Sequence, residues 1–365
     1  MKIPYINLGL QWKKERKDLS NIFERILKQG IYVDPDSYEV KSFENKISKI
    51  CGTKYALSLN SGTDALTLGL CLIGVRKGDE VITPPNSFIS STSVITHIGA
   101  KPVFVDVLED QNINPSLIEK AITKKTKAIM PVHLTGRVAE MKEILKISKK
   151  YNIPVIEDAA QSIGSKYHKK PSGSFGKVGC FSAHPLKNLN GIGDCGFLTT
   201  SDKKIYNMAK SMRNHGLEDR NIVKKFGFLS RMDVLQAAVL NYRIKNLKKI
   251  IQSRRKNAKF YINNINRNKF KVIDEKKYQF NTYHTFVLQT NNRDKLKKYL
   301  ASKGIGTAIH YPIPIHLQPA AKFLGYKKGS FPMTEKQSKK IITLPIHQNL
   351  KKSELSKIVD LLNQF

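Results

Sequence analysis

The chain is short of cysteine and of acidic residues, and it holds no long apolar run. Its four cysteines, Cys51, Cys71, Cys180 and Cys195, are scattered and form no C-x-x-C pair, which excludes a disulfide framework and a cysteine-built zinc site. No window of about 18 consecutive apolar residues occurs, so a membrane-spanning helix is excluded. The opening MKIPYINLGLQWKKE lacks the apolar core of a secretory signal. These absences predict a soluble cytoplasmic chain without a metal. Asp and Glu number 29 against 63 Lys and Arg in 365 residues, a formal net charge of +34. Such an excess suits a polyanionic partner, but its distribution argues otherwise. Basic residues run from Lys13 to Lys357, mostly as pairs such as Lys124-Lys125 and Lys248-Lys249, on what read as the outer faces of amphipathic helices. No basic block interleaved with aromatics is present, and no helix-turn-helix, zinc-finger or ribonucleoprotein motif. The lysines read as solvated surface, with neither nucleic acid nor membrane as partner.

What is present is an α/β rhythm. A hydrophobic content of 40% is that of a globular protein and argues against disorder. From residue 50 to 200, short apolar runs alternate with helical patterns, as in a mostly parallel sheet flanked by helices. Seven strands are predicted: 56–60, 80–83, 102–107, 128–133, 154–157, 179–183 and 196–200. Helices are predicted at 63–73, 90–98, 115–122 and 139–151, with two earlier ones at 11–28 and 37–50 and a long one over 232–255. Beyond it, 284–290 reads as a strand, 293–303 as a helix, 306–310 as a strand and 352–364 as a closing helix. The expected layout is a large α/β domain over residues 1–250 and a small C-terminal α+β domain over 251–365.

Chemistry concentrates between Val155 and Thr200. An apolar strand delivers Glu157 and Asp158 to its C-terminal end, where open α/β sheets place ligands. A second apolar strand ends at Ser182, and Lys187 follows in a turn rich in glycine (Gly191, Gly193, Gly196). A lysine partly desolvated in such a turn has a lowered pKa and a nucleophilic amine. An isolated lysine in so basic a chain would ordinarily be surface, but three companions favour chemistry. Asn60-Ser-Gly-Thr-Asp64 is a strand-to-helix turn of small residues, able to cradle phosphate although also a plain N-cap. Asp158 is the group type that pairs with a pyridinium nitrogen. Phe88, in Pro84-Pro-Asn-Ser-Phe88, is either core packing or a stacking partner for a planar cofactor.

Together these residues resemble the DegT/StrS family of sugar-nucleotide aminotransferases. The resemblance spans almost the whole chain through an ordered set: Ser61-Gly-Thr-Asp-Ala-Leu66, Pro131-Val-His-Leu-Thr-Gly136, Glu157-Asp-Ala-Ala-Gln161, Gly173-Ser-Phe-Gly176, Phe181-Ser-Ala-His-Pro-Leu-Lys-Asn188, Arg213-Asn-His-Gly216, Ser230-Arg-Met-Asp233 with Gln236-Ala-Ala238, and Tyr311-Pro-Ile-Pro-Ile-His-Leu-Gln318. It implies the aspartate aminotransferase fold (fold type I), pyridoxal phosphate (PLP) as cofactor, and a homodimer with shared sites. By resemblance, Lys187 bonds covalently to the cofactor and shuttles a proton, and Asp158 keeps the pyridine nitrogen protonated. Gly62, Thr63 and Ser182 hold the phosphate, Phe88 stacks on the ring, and Gln161 lies at its hydroxyl side. Tyr311, His316 and Gln318 line the sugar-nucleotide pocket.

The implied reaction moves an amino group, from glutamate as donor, to a 3- or 4-ketosugar on a nucleoside diphosphate, toward amino sugars of surface polysaccharide such as lipopolysaccharide. Related dehydratases carry histidine in place of the cofactor lysine, so Lys187 favours transamination over a dehydratase or epimerase. A regulatory protein binding nucleic acid or another polyanion would leave Lys187 and Asp158 without a purpose. Three departures from the family pattern stand out. Leu229 occupies the place of an Asn that reaches the neighbouring subunit's cofactor, Ala183-His184 replaces an aromatic pair, and Thr135 and Arg137 replace Tyr and Gln on the expected substrate side.

Overall fold

The computed structural model describes residues 2–365. Its centre is a seven-strand array: β1 (Tyr55–Leu59), β2 (Glu80–Thr83), β3 (Lys101–Phe104), β4 (Thr126–Ile129), β5 (Ile156–Asp158), β6 (Val178–Ser182) and β7 (Gly196–Thr200). The spatial order is β3-β2-β4-β5-β6-β7-β1. Isolated parallel bridges, Ile129 to Val155 and Val132 to Asp158, join β4 to β5. Six strands run parallel, and β7 runs antiparallel to both neighbours. Its run GFLTT is buried throughout, as expected of a strand covered on both faces.

The flanking helices follow from spacing and caps. Helix Gly62–Leu72 starts where the Ser61 hydroxyl accepts from the Asp64 N–H, and it buries Ala65, Leu66, Leu68 and Leu72 against the sheet. Helix Met141–Tyr151 buries Met141, Ile144 and Ile147, one face at helical period. It ends at Asn152 in the left-handed conformation, with Lys149 and Lys150 in its last turn, where the helix dipole favours cations.

A buried ion pair locks the N-terminal helices to the sheet. Arg213 donates to Glu44 at 2.7 Å and to the Ser58 carbonyl at 3.0 Å, while the Ser58 N–H and hydroxyl both donate to the same carboxylate oxygen. The Arg213-Asn-His-Gly216 motif is thereby tied to β1 and to helix Tyr38–Cys51.

The second half differs from expectation in two places. The single helix predicted over 232–255 is two helices, Val234–Ile244 and Leu247–Asn264. Between them Lys245 and Asn246 bond three residues back, to Tyr242 and Arg243, closing a tightened last turn that re-aims the chain. Leu247 and Ile251 pack in the core beneath the seven-strand sheet, whereas Ala258 and Tyr261 pack with the C-terminal segment. Residue 250 therefore lies inside a helix shared by two cores.

The predicted strand 306–310 makes only one bridge, Ala308 to Thr343. The antiparallel partner of β8 (Phe286–Gln289) is instead β9 (Ile341–Leu344), a four-residue apolar run whose length suits a strand or a buried helix end equally. The N-terminus completes this second core. Ile3 exchanges hydrogen bonds with Gly304 and Gly306, which brings Tyr5 and Ile6 across the molecule.

Candidate active site

β5 ends in two adjacent carboxylates that the strand's alternation sends to opposite faces. Glu157 points into the protein. Its oxygens accept from the N–H groups of Gly173 (2.8 Å), Phe175 (2.7 Å) and Gly176 (2.7 Å) and from His133 Nε2 (2.9 Å). His133 Nδ1 accepts from the Ala139 N–H at 3.2 Å, which leaves the proton on Nε2. Gly173, at φ +81°, takes a conformation that L side chains rarely adopt, and a Cβ there would lie 2.4 Å from the Phe181 ring. Three segments that resembled separate family motifs therefore meet on one buried acid.

Asp158 points the other way, into a cavity of about 290 Å³. The Ser91 hydroxyl donates to it at 2.6 Å and the Ala160 N–H at 3.1 Å. Burial raises its pKa above the usual carboxylate value, while these two hydrogen bonds and the Lys187 charge pull the other way. Lys187 is held by a tight turn in which its N–H donates to the His184 carbonyl and the Gly191 N–H donates to Ala183. Asn188 pins the turn through Nδ2 to the Thr282 carbonyl at 3.1 Å. Desolvation lowers the Lys187 ammonium to about 8, against the opposing attraction of Asp158. A lysine whose pKa is lowered toward neutrality thus shares a cavity with a buried carboxylate.

The same cavity is lined by Gly62, Thr63, Phe88, Gln161, Ser182 and Tyr311. At the start of helix Gly62–Leu72, the N–H groups of Gly62 and Thr63 find no acceptor among the described residues. Gly62 is packed so tightly on Ser182 that a Cβ would lie 2.7 Å from the serine Cβ. The Thr63 hydroxyl sits 3.0 Å from that of Ser90. Gln161 accepts from the Thr135 N–H at 2.8 Å. Phe88 is 56% exposed at the cavity mouth, its ring centre 6.0 Å from that of Tyr311, so it is not core packing. Orphaned helix-terminal donors, two hydroxyls, an aromatic wall, a primary amine and a buried carboxylate fit a phosphorylated pyridinium cofactor.

Two predicted residues lie elsewhere in this chain. His316 is buried with Nε2 3.1 Å from Glu335 and its ring edge-on to Phe331. The Ile315 N–H donates to the Pro85 carbonyl and fixes the short turn Ile315–Leu317, which turns His316 inward. Gln318 is half-buried, with its amide directed to the Ile313 carbonyl. Neither lines the cavity. Arg137 is likewise a strut, donating to the carbonyls of Ile273 and Asp274 and to the Gln279 side chain. Leu229 lies on the surface, 58% exposed.

Several lining residues escaped the sequence reading. Ser91 sat inside a predicted helix, and the serine pair following Phe88 was the available signal. Tyr5, His284 and His310 also line the cavity. They come from three distant segments and carry no local signature. Burial holds both histidines well below their usual pKa, with the Lys187 charge adding to the effect.

Comparison with known proteins places this geometry. Residues 13–363 match the DegT/DnrJ/EryC1/StrS aminotransferase family model. The chain is 38% identical to dTDP-3-amino-3,6-dideoxy-alpha-D-galactopyranose transaminase of Aneurinibacillus thermoaerophilus, over 100% of this chain and 99% of that one. It is 34% identical to a "pleiotropic regulatory protein" of Geobacillus stearothermophilus, over 100% and 99%. Among solved structures, DesV of S. venezuelae matches with a TM-score of 0.96 at 32% identity, covering 100% of this chain and 98% of that one. Bacillus subtilis NtdA with bound cofactor PMP matches at 0.89 and 29%, covering 96% and 82%.

The Lys187–Asp158 pairing is testable in the cofactor-free protein. Lysine acylation at Lys187, followed by peptide mass spectrometry against pH, should show a midpoint near 8. Asp158→Asn removes the negative charge that favours the ammonium, so the midpoint should fall. A midpoint in the range of a surface lysine, or one unmoved by the substitution, contradicts the geometry.

Proposed function

Because the chain belongs to the DegT/DnrJ/EryC1/StrS aminotransferase family and has its fold type I, PLP-dependent scaffold, we propose that it aminates a nucleotide-linked 3- or 4-ketosugar with glutamate as donor. The reading rests on one observation: the Lys187 amine, lowered to about 8, shares a cavity with buried Asp158 and the unpartnered N-terminus of helix Gly62–Leu72. Sugar-nucleotide transamination is the activity in the names of several relatives, including the dTDP-sugar enzyme above.

The Gly62 and Thr63 N–H groups with the Ser182 hydroxyl would hold the cofactor phosphate. When bound, PLP supplies an electron sink for charge that develops on the donor's α-carbon. Asp158, held by the Ser91 hydroxyl and the Ala160 N–H, would be the group to keep a proton on the ring nitrogen. Lys187 Nζ would anchor the cofactor, and its pKa, lowered to about 8 by burial, suits it to hold or release a proton beside the donor's α-carbon. Gln161 would face the ring's hydroxyl side, and Phe88 with Tyr311 walls the cavity mouth and limits water. His184, His284 and His310, neutral around pH 7 in the two cases where burial is deepest, offer hydrogen-bonding edges for a sugar without adding charge.

We place the enzyme in the cytoplasm, in amino-sugar synthesis for surface polysaccharide. It acts as a homodimer. The segment Leu217–Leu229 supports this by exposing Ile222, Val223, Phe226, Phe228 and Leu229, with Phe226 98% exposed. So much contiguous apolar surface is unusual on an isolated chain.

Holoenzyme mixed with glutamate alone should lose its visible absorption band, and Lys187→Ala should lack the lysine-linked band from the start. A band unchanged by glutamate would exclude the transaminase and leave the dehydratase reading. Sizing by light scattering should give a dimer, reduced to monomer by Phe226→Asp. A monomeric wild-type protein removes the shared assembly.

A further inference from the structure

A second cavity, of about 270 Å³, lies at the end of β8, where Gln289, Thr290 and Asn291 line it. Five cations line it, Arg267, Lys269, Lys271, Lys336 and Lys340, against a single acid, Glu109. Lys271 is paired with Glu109 at 2.6 Å, and Arg267 forms a two-point pair with Asp274. Among the described residues Lys269 donates to a backbone carbonyl, that of Asn363, and forms no ion pair. Lys336 and Lys340 form no ion pair among the described residues. Lys269, Lys336 and Lys340 therefore share the cavity with Glu109 as its one acid, a carboxylate already paired with Lys271 and felt by the Lys336 charge.

The cavity is built by four separate segments. Lys336 and Lys340 stand one turn apart on helix Pro332–Lys340. That helix is fixed at its start by Asp106, which accepts from the N–H groups of Met333 (2.8 Å) and Thr334 (2.9 Å). On the same helix, Gln337 is 3% exposed and donates to the carbonyls of Leu108 and Glu109, which holds the acidic segment against it. Lys269 and Lys271 flank the buried Phe270 at the edge of β8, where Lys271 and Gln289 exchange backbone hydrogen bonds. Thr290 and Asn291 add neutral polar groups. Five cations around one cavity against a single acid leave a local excess of positive charge, which a compact anion relieves. The three lysines match the two to three negative charges of a diphosphate group.

We propose that this cavity is a second anion site, separate from the Lys187 cavity, that takes a diphosphate group, either as free pyrophosphate or as part of a nucleoside diphosphate. The site is independent of the transamination reading, since none of its lining residues belongs to the Lys187 cavity.

The test is calorimetric titration of PLP-loaded enzyme with inorganic pyrophosphate and, separately, with thymidine diphosphate. Wild-type protein should bind at least one of them in a salt-dependent manner. Binding should weaken at least about ten-fold in Lys336→Ala/Lys340→Ala, since charge-assisted contacts are lost. Lys336→Arg/Lys340→Arg should keep it. Lys295→Ala/Lys297→Ala, which removes the same charge from an exposed helix face elsewhere, should also keep it. Tighter binding of pyrophosphate identifies the free ion as ligand, and tighter binding of the nucleotide identifies a nucleoside diphosphate. The proposal is overturned by absence of binding, by binding that survives the Lys336/Lys340 alanine pair, or by equal loss in the control pair.

Discussion

The site depends on two neighbouring carboxylates that must be buried in opposite directions. Glu157 is compensated by four donors, three of them backbone N–H groups of a single loop, so its cost of desolvation is met locally. Asp158 is only partly compensated, by Ser91 and Ala160. Its remaining demand is directed into the cavity toward Lys187. Moving β5 by one residue would exchange the two acids, placing the active-site carboxylate in the loop and the structural one in the cavity. The loop Gly173–Gly176 and His133 thus hold the register on which the chemistry relies.

The same logic explains how one chain carries a +34 net charge around a site of modest charge. Most lysines lie on helix faces where water solvates them. Inside, cations are few and each is managed differently. Arg213 is met by Glu44 and Arg243 by Glu15. Arg254 is left with carbonyl partners, and its pKa falls to about 10 through burial. Lys187 is the internal cation left closest to neutrality, and it is the one placed against an acid across open space.

Much of this was legible in the chain. The apolar runs ending at Asp158 and Ser182 read as strands because parallel sheets buried on both faces show continuous hydrophobic runs. The Ser61-Gly-Thr-Asp64 turn read as a helix start because serine caps it. Lys187 and Asp158 were recognisable from the motifs around them, and eight predicted residues line one cavity. A Pro-rich loop carries no periodicity to say which way its side chains face, so the inward turn of His316 was not legible. That side chain turned inward to Glu335 once Ile315 bonded Pro85. Tyr5, His284 and His310 were invisible because only tertiary pairing, such as that of Ile3 with Gly304 and Gly306, brings them to the cavity. The break at Lys245-Asn246 was hidden because both residues are compatible with a helix interior.

The central claim is that Lys187 and Asp158 serve nitrogen transfer to a nucleotide-linked sugar. It is tested most directly with glutamate labelled with nitrogen-15, holoenzyme and a panel of nucleotide-linked 3- and 4-ketosugars, followed by mass spectrometry of the sugar product. The label should appear in the sugar, with loss of label from glutamate in equal amount and none transferred by Lys187→Ala. A sugar product that forms without nitrogen, or label that never leaves glutamate with any member of the panel, would contradict it.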